Sequence, residues 1–103
     1  MTVNPHRGEA AILIDGREAQ LRPSFTALVA AEEELGPLFA LVERASEGQL
    51  RLSEIATLFW HCLAERDRYS REKVGEAALA AGLAACAAPL RSLLSQILQG
   101  RAG

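Results

Sequence analysis

The chain has 103 residues, half of them apolar and 23% charged, with a formal net charge of −2. This length and composition predict one globular domain with a single modest core. Because acidic and basic residues are mixed along the chain, its charge offers no match to nucleic acid or to an anionic membrane, and neither is expected as a partner.

The first predicted element is a β-hairpin. The run Ile12–Ile14 is rich in β-branched residues, and Asp15-Gly16 is a two-residue turn that tolerates positive φ. Beyond the turn, polar and apolar residues alternate, as is typical of a half-buried strand. Two strands alone are marginal in water, so the hairpin must lie on the helices or on another subunit. The predicted hairpin occupies residues 9–22, with strands at 10–15 and 17–22.

The chain from residue 23 to residue 99 predicts helices separated by Ser, Gly and Pro signals. Ser24 is a typical N-cap, and Gly36-Pro37 ends one helix and begins the next. Gly82 interrupts the fourth helix, and Pro89 either kinks the last helix or marks its first turn. Ser53 and Ser70 are predicted to cap the third and fourth helices. The predicted helices run to Leu35 and over residues 38–46, 54–66, 71–81 and 83–99.

These elements predict an α+β fold, an N-terminal β-hairpin followed by a mostly α-helical bundle of four to five helices. All 103 residues belong to a single domain, with residues 1–8 flexible and residues 100–103 frayed. Cys62 and Cys86 belong to no CxxC motif and are predicted to be buried thiols in a reducing compartment. With no leader-like segment and no apolar run long enough for a bilayer, the predicted location is cytoplasmic.

The third helix carries an unusually wide apolar stripe. Its apolar side chains cover an arc of about 200°, whereas an ordinary surface helix needs only about 100°. The helix therefore either runs through the centre of the domain or keeps part of its stripe for a partner. Phe59 lies in the middle of the stripe, where a core residue is expected, and Trp60 lies at its edge, where an exposed aromatic anchor is expected.

Two charged features need partners. Glu32 falls between Phe25 and Leu28 on the apolar arc of the first helix, so its carboxylate must be paired, hydrogen-bonded to the hairpin or a connector, or facing a partner. Glu33 and Glu34 fall on the solvated side. The basic residues of the third turn either imitate a helix-turn-helix or form a solvated turn that acidic neighbours neutralise. These basic residues are Arg66, Arg68, Arg71 and Lys73.

Catalytic and metal sites are not predicted. His61 and Cys62 are adjacent on a helix and point about 100° apart, so they cannot share a metal ion or act as a dyad. The sequence contains no Ser-His-Asp, HExxH, P-loop or GxGxxG signature. We therefore expect no enzyme and no cofactor, and Glu32 is the only carboxylate that would merit inspection as a catalytic group.

The order of these features resembles a known family. The resemblance rests on Asn4–Glu9, the Asp15–Arg17 turn, Leu21 with Ser24–Leu28, and the Leu35-Gly36 break. It continues through Glu32, Glu54-Ile55 and Gly82-Leu83, and covers nearly the whole chain. On these residues the chain resembles the small proteins encoded between the tail tube and tape-measure genes of gene transfer agents and related phages, which are classed with tail assembly chaperones.

This resemblance implies a non-enzymatic role in tail assembly, in the cytoplasm or also in the tail of the particle. The implied partners are the tape-measure protein, a long apolar helical chain, or the tail tube protein, and a homo-oligomer is left open. The alternative is a small cytoplasmic adaptor or a DNA-binding regulator that uses the basic turn at residues 66–73. The predicted partner-binding residues are Arg7, Glu32, Phe59 and Trp60.

Overall fold

The computed structural model describes residues 10–99 as a two-stranded hairpin followed by five helices, which confirms the α+β prediction. The predicted flexible start, the first residue of the predicted hairpin and the predicted frayed end lie outside the described residues. The strands are β1 (Ala10–Ile14) and β2 (Arg17–Leu21), and the helices are α1 (Phe25–Leu35), α2 (Leu38–Ser46), α3 (Leu52–Cys62), α4 (Arg71–Ala81) and α5 (Leu83–Gln99).

The hairpin forms around the predicted turn. β1 and β2 pair antiparallel, from Ala10 opposite Leu21 to Ile14 opposite Arg17. Asp15 and Gly16 have φ angles of 54° and 79°, the left-handed conformations that a tight two-residue hairpin turn requires. Each strand ends one residue earlier than predicted. At the first strand, Asp15 belongs to the turn.

The outer edge of β2 is paired with the segment that follows α3. Leu21 forms an isolated antiparallel bridge with Leu63. The Arg22 N–H donates to the Cys62 carbonyl, and the Ala64 N–H donates to the Gln20 carbonyl at 2.9 Å. The prediction that the third helix continues to residue 66 is therefore wrong, because the chain leaves the helix after Cys62 and Leu63 pairs with β2.

Local signals place the other helix ends. The hydroxyls of Ser24 and Ser70 accept from backbone N–H groups three residues ahead, as predicted for N-caps. Ser53 is not a cap, because α3 already begins at Leu52 and the Glu54 carboxylate accepts from the Arg51 N–H at 2.9 Å. Pro89 lies well inside α5 and does not mark its first turn.

The core lies around α3, which confirms the interpretation of this helix as central. α3 packs between α1 and α4, while β1 packs against α4 and α5. On α1 the buried residues are Ala27 and Ala31, and Leu28 of the predicted apolar arc packs against the core, whereas Phe25 of the same arc lies off the packed face. The largest fully buried side chains are Phe59, Ile14, Leu21, Leu41, Leu58, Leu93, Val74 and Cys62.

α2 is joined to α3 by a two-pronged ion pair. Arg44 contacts both carboxylate oxygens of Glu54, at 2.9 and 2.8 Å. Hydrogen bonds from the Arg44 guanidinium and then from the Arg51 backbone lower the pKa of the Glu54 carboxyl. No single helix within residues 10–99 is long and apolar enough to cross a membrane, and α4 with α5 meets that test only as a pair bent by 118°.

Candidate functional site

Trp60 is half-buried, and its polar atom is already used within the domain. The indole Nε1–H donates to the Tyr69 carbonyl at 2.8 Å. The guanidinium carbons of Arg71 and Arg66 lie 4.5 and 5.4 Å from the ring centroid, within the range of cation–π contacts. Trp60 is therefore held by contacts with its own chain, and it is half-buried where its position on α3 predicted an exposed anchor.

Beside Trp60, one carboxylate joins three helices. Glu34, in the last turn of α1, receives two guanidinium N–H groups of Arg71, the first residue of α4. The Nε2 atom of His61, on α3, lies 2.7 Å from a carboxylate oxygen of Glu34. Hydrogen bonds from Arg71 first and His61 second lower the pKa of Glu34 to about 2. We call Glu34, Trp60, His61 and Arg71 the Glu34 cluster.

His61 is the buried member of the Glu34 cluster. Because a carboxylate only accepts, Nε2 carries the proton of the bond to Glu34, and in the neutral ring Nδ1 is a bare lone pair. That Nδ1 atom is buried and meets no hydrogen-bond partner within residues 10–99. The same residues hold no group of three His, Cys, Asp or Glu side chains placed to bind a metal ion. The geometry is that of a structural pairing between helices.

Phe59 has no exposed surface. A side chain sealed in the core cannot touch a partner while the domain stays folded, so the structure places Phe59 where its position in the middle of the stripe predicted a core residue. The other large, fully buried side chains come from β1, β2, α2, α4 and α5 and from α3 itself. The wide apolar stripe of α3 is thus packed against the rest of the domain.

Glu32 caps the next helix. It is exposed, and its Oε2 accepts from the Leu38 N–H, at the start of α2, at 3.0 Å. A carboxylate at a helix N-terminus also interacts favourably with the helix dipole. Of the options predicted for Glu32, the structure therefore shows a hydrogen bond to the connector between α1 and α2. Arg7, the remaining predicted contact residue, lies outside the described residues.

The basic residues of the turn at residues 66–73 contact other groups of the same chain. Arg66 and Arg71 flank the Trp60 ring. Arg68 lies 3.2 Å from Glu65, and Lys73 lies 3.0 Å from Asp15 in the hairpin turn. Each of the four cations of residues 66–73 therefore meets an acidic or aromatic group of the same chain, which favours the solvated-turn interpretation of this segment.

Large apolar side chains are exposed elsewhere. Phe25, the first residue of α1, is 84% exposed, and Phe39, near the start of α2, is 78% exposed. Sequence reasoning missed both, because the helical pattern assigns Phe25 to the apolar arc of α1 and does not distinguish Phe39 from the other apolar residues of α2. A second exposed set comes from β1 and the ends of α4 and α5. Its members are Leu13, Leu79, Leu83 and Leu98.

Comparison with known proteins gives the family. Residues 7–100, most of the chain, match the family described as "Phage tail tube protein, GTA-gp10". The chain belongs to this family. The match confirms the predicted relationship to tail proteins of gene transfer agents and phages, while the family description names a tube protein and not a chaperone. No curated protein and no solved structure matches the chain.

Membership of the GTA-gp10 family makes the function tail-related and makes other tail proteins the natural class of partner. The residues that could face such partners are the exposed apolar side chains and not the Glu34 cluster, whose groups already bond to each other.

Proposed function

We propose that this chain is a non-enzymatic tail-assembly protein, a chaperone or adaptor that binds the tape-measure or tail tube protein of a gene transfer agent or related phage. The family match supports the tail-related part of this proposal. The observation that supports binding is the exposure of two phenylalanines, Phe25 and Phe39.

Exposure of an aromatic side chain to water is unfavourable in the free protein, and a partner that covers the side chain removes this unfavourable exposure. Burying a phenylalanine against a partner contributes about 1.5–3 kcal/mol, and aromatic residues are enriched in interface cores. Phe25 and Phe39 lie on two helices joined by a two-residue connector, whose geometry is held by the Glu32 bond to Leu38. A long apolar helical chain such as the tape-measure protein offers the complementary apolar face.

Co-purification tests the partner. We expect the protein, expressed with the product of a neighbouring gene that encodes a long helical protein or the tail tube subunit, to retain that product on an affinity column. The double variant Phe25→Ser with Phe39→Ser should weaken retention more than tenfold, since it removes two anchors. Leu98→Ser, an equally apolar-to-polar change on α5, is the matched control and should bind normally.

The proposal fails if the wild-type protein retains neither tail protein, or if the double variant binds as the wild type does. Circular dichroism of the double variant should match the wild type, because both side chains are exposed. Mass spectrometry of purified particles separates the two forms of the proposal. A chaperone acts in the cytoplasm and is absent from the particle, whereas a tube-associated adaptor is present.

A DNA-binding regulator is less well supported as the alternative. Its cations would have to leave Glu34, Glu65 and Asp15 to reach phosphates, losing bonds that the folded chain already makes. Phosphate binding predicts a mobility shift of duplex DNA that weakens steeply with salt and is reduced by Arg68→Ala. We expect no shift at physiological salt.

A further inference from the structure

The outer edge of β1 is a row of backbone groups that the described chain leaves unpaired. Gln20 and Arg22 point their backbone groups away from β1, toward residues 62–64. Since pairing alternates along an antiparallel strand, Ala10, Ile12 and Ile14 bond to β2. The N–H and C=O groups of Ala11 and Leu13 therefore point outward, and nothing within residues 10–99 bonds to them.

The two edges of the hairpin differ in their backbone pairing. The β2 edge is covered by the bridge between Leu21 and Leu63. β1 is five uncharged apolar residues, without the lysine, proline or bulge with which proteins usually protect an edge strand. An edge of this kind is a template for pairing with another strand.

Part of the surface beside this edge is also apolar. A groove of about 150 Å³ runs between β1 and the helices α4 and α5. Leu13, on its rim, is 60% exposed. No charged residue occurs from residue 77 to residue 90, so the helical side of the groove favours an apolar occupant. Asp15, Lys73 and Glu76 line the adjoining pocket at Leu13. The groove is lined in part by Ala11, Leu13, Ala77, Ala81, Ala85 and Pro89.

We propose that the occupant is β1 of a second copy of this chain, paired antiparallel across a two-fold axis at Ile12. The axis places Ala11 opposite the partner's Leu13 and Leu13 opposite the partner's Ala11, so the two pairs exchange four backbone hydrogen bonds. The two hairpins become one four-stranded antiparallel sheet, and both exposed Leu13 side chains are covered.

A second copy fits the site because it presents the chemistry that the edge demands. β1 is an uncharged strand whose outer edge has no pairing partner among residues 10–99, so a two-fold contact satisfies both rows of backbone groups at once. Hairpins of two strands are marginal, and four strands with an apolar face are the more stable unit. The inference is independent of the tail-assembly proposal, since it concerns the isolated protein and no tail partner.

Sedimentation equilibrium across a concentration series tests the dimer. We expect a reversible monomer–dimer equilibrium for the wild type. Ala11→Pro removes an outward N–H without breaking a bond to β2, and edge positions tolerate proline. Leu13→Lys places a charge on the rim of the groove. Each variant should raise the dissociation constant at least tenfold, whereas Leu98→Lys, the matched control on α5, should leave it unchanged.

Hydrogen exchange gives a readout that does not depend on the variants folding well. The Ile12 and Ile14 amides should be protected at every concentration, because they bond to β2. The Ala11 and Leu13 amides should be protected only where the dimer forms. The proposal is overturned by a monomer throughout the series, by a dimer that Ala11→Pro and Leu13→Lys do not weaken, or by Ala11 and Leu13 amides that stay unprotected in the dimer.

Discussion

Arg71, the first residue of α4, donates two guanidinium N–H groups to the two carboxylate oxygens of Glu34, in the last turn of α1. Each charge alone is badly placed, because an anion at a helix C-terminus and a cation at a helix N-terminus both oppose the helix dipole. Paired, they neutralise each other and join the two helix ends. His61 adds α3 to the same carboxylate.

Glu34→Gln should lower the free energy of unfolding by about 1–2 kcal/mol, because it removes the charge from a two-pronged bond and from the His61 contact. The estimate is modest because Glu34 is partly exposed and solvent screens the pair. Urea unfolding measures the change. Glu33→Gln is the matched control on the adjacent exposed residue and should change stability by less than about 0.5 kcal/mol. Equal effects of the two substitutions would contradict a special role for Glu34.

The Glu34 contribution should disappear in acid. Its folded-state pKa of about 2 lies below the ordinary value of 4.5, so the stabilisation is complete above about pH 4.5 and is lost as the pH falls toward 2. The stability gap between the wild type and Glu34→Gln should therefore narrow across that range. Unfolding curves at several pH values test this, and a gap that stays constant down to pH 2 would refute it.

Trp60→Phe should destabilise the domain by about 1–3 kcal/mol while leaving partner binding intact. The change leaves the Tyr69 carbonyl without its donor and weakens the contacts with Arg66 and Arg71. Thermal unfolding and the co-purification assay together separate the two roles. Lost binding with unchanged stability would restore Trp60 as a partner anchor.

Gly75→Ala should stabilise the protein by about 0.5–1 kcal/mol. Gly75 lies in the middle of α4, and an added Cβ would meet the Ala56 Cβ at 3.8 Å, an ordinary contact distance. Gly82→Ala is the contrasting variant, because Gly82 has a φ of 94° and an alanine there is strained. Melting temperatures should move in opposite directions, and a lower one for Gly75→Ala would show that α3 and α4 pack more tightly than this spacing implies.

Neither thiol should react in the native protein. Cys62 and Cys86 are buried and free, as predicted, and burial raises the pKa of Cys62 to about 12 and raises that of Cys86 as well. Labelling with Ellman's reagent at neutral pH should be slow until denaturant is added, when both thiols react. Rapid native labelling of either residue would mean that the α3–α5 region opens readily.

Much of the fold was predictable because its signals are local. Asp15-Gly16 can adopt the left-handed turn, Ser24 and Ser70 can cap a helix, and Gly36 and Gly82 can end one, whatever lies around them. The end of α3 was not predictable in this way. Residues 63–66 continue a helical pattern, and only their pairing with β2 draws Leu63 out of the helix.

The candidate site was harder to predict for the same reason. Glu34 was assigned to solvent by its helix face, yet its partners His61 and Arg71 are 27 and 37 residues away in sequence. Phe59 and Trp60 were chosen for their position on an amphipathic helix, but a periodic pattern cannot tell whether an apolar face meets a core or a partner. Their burial, and the exposure of Phe25 and Phe39, follow from which helices pack on which.

The order and type of the elements and the tail-related family follow from the amino-acid sequence, because turns, caps and motifs depend on neighbouring residues. Which apolar residues are hidden, which charges pair and which strand edge has no partner among residues 10–99 follow from the three-dimensional packing. Those outcomes depend on contacts between residues far apart in the chain, and such contacts form only when the helices close around α3.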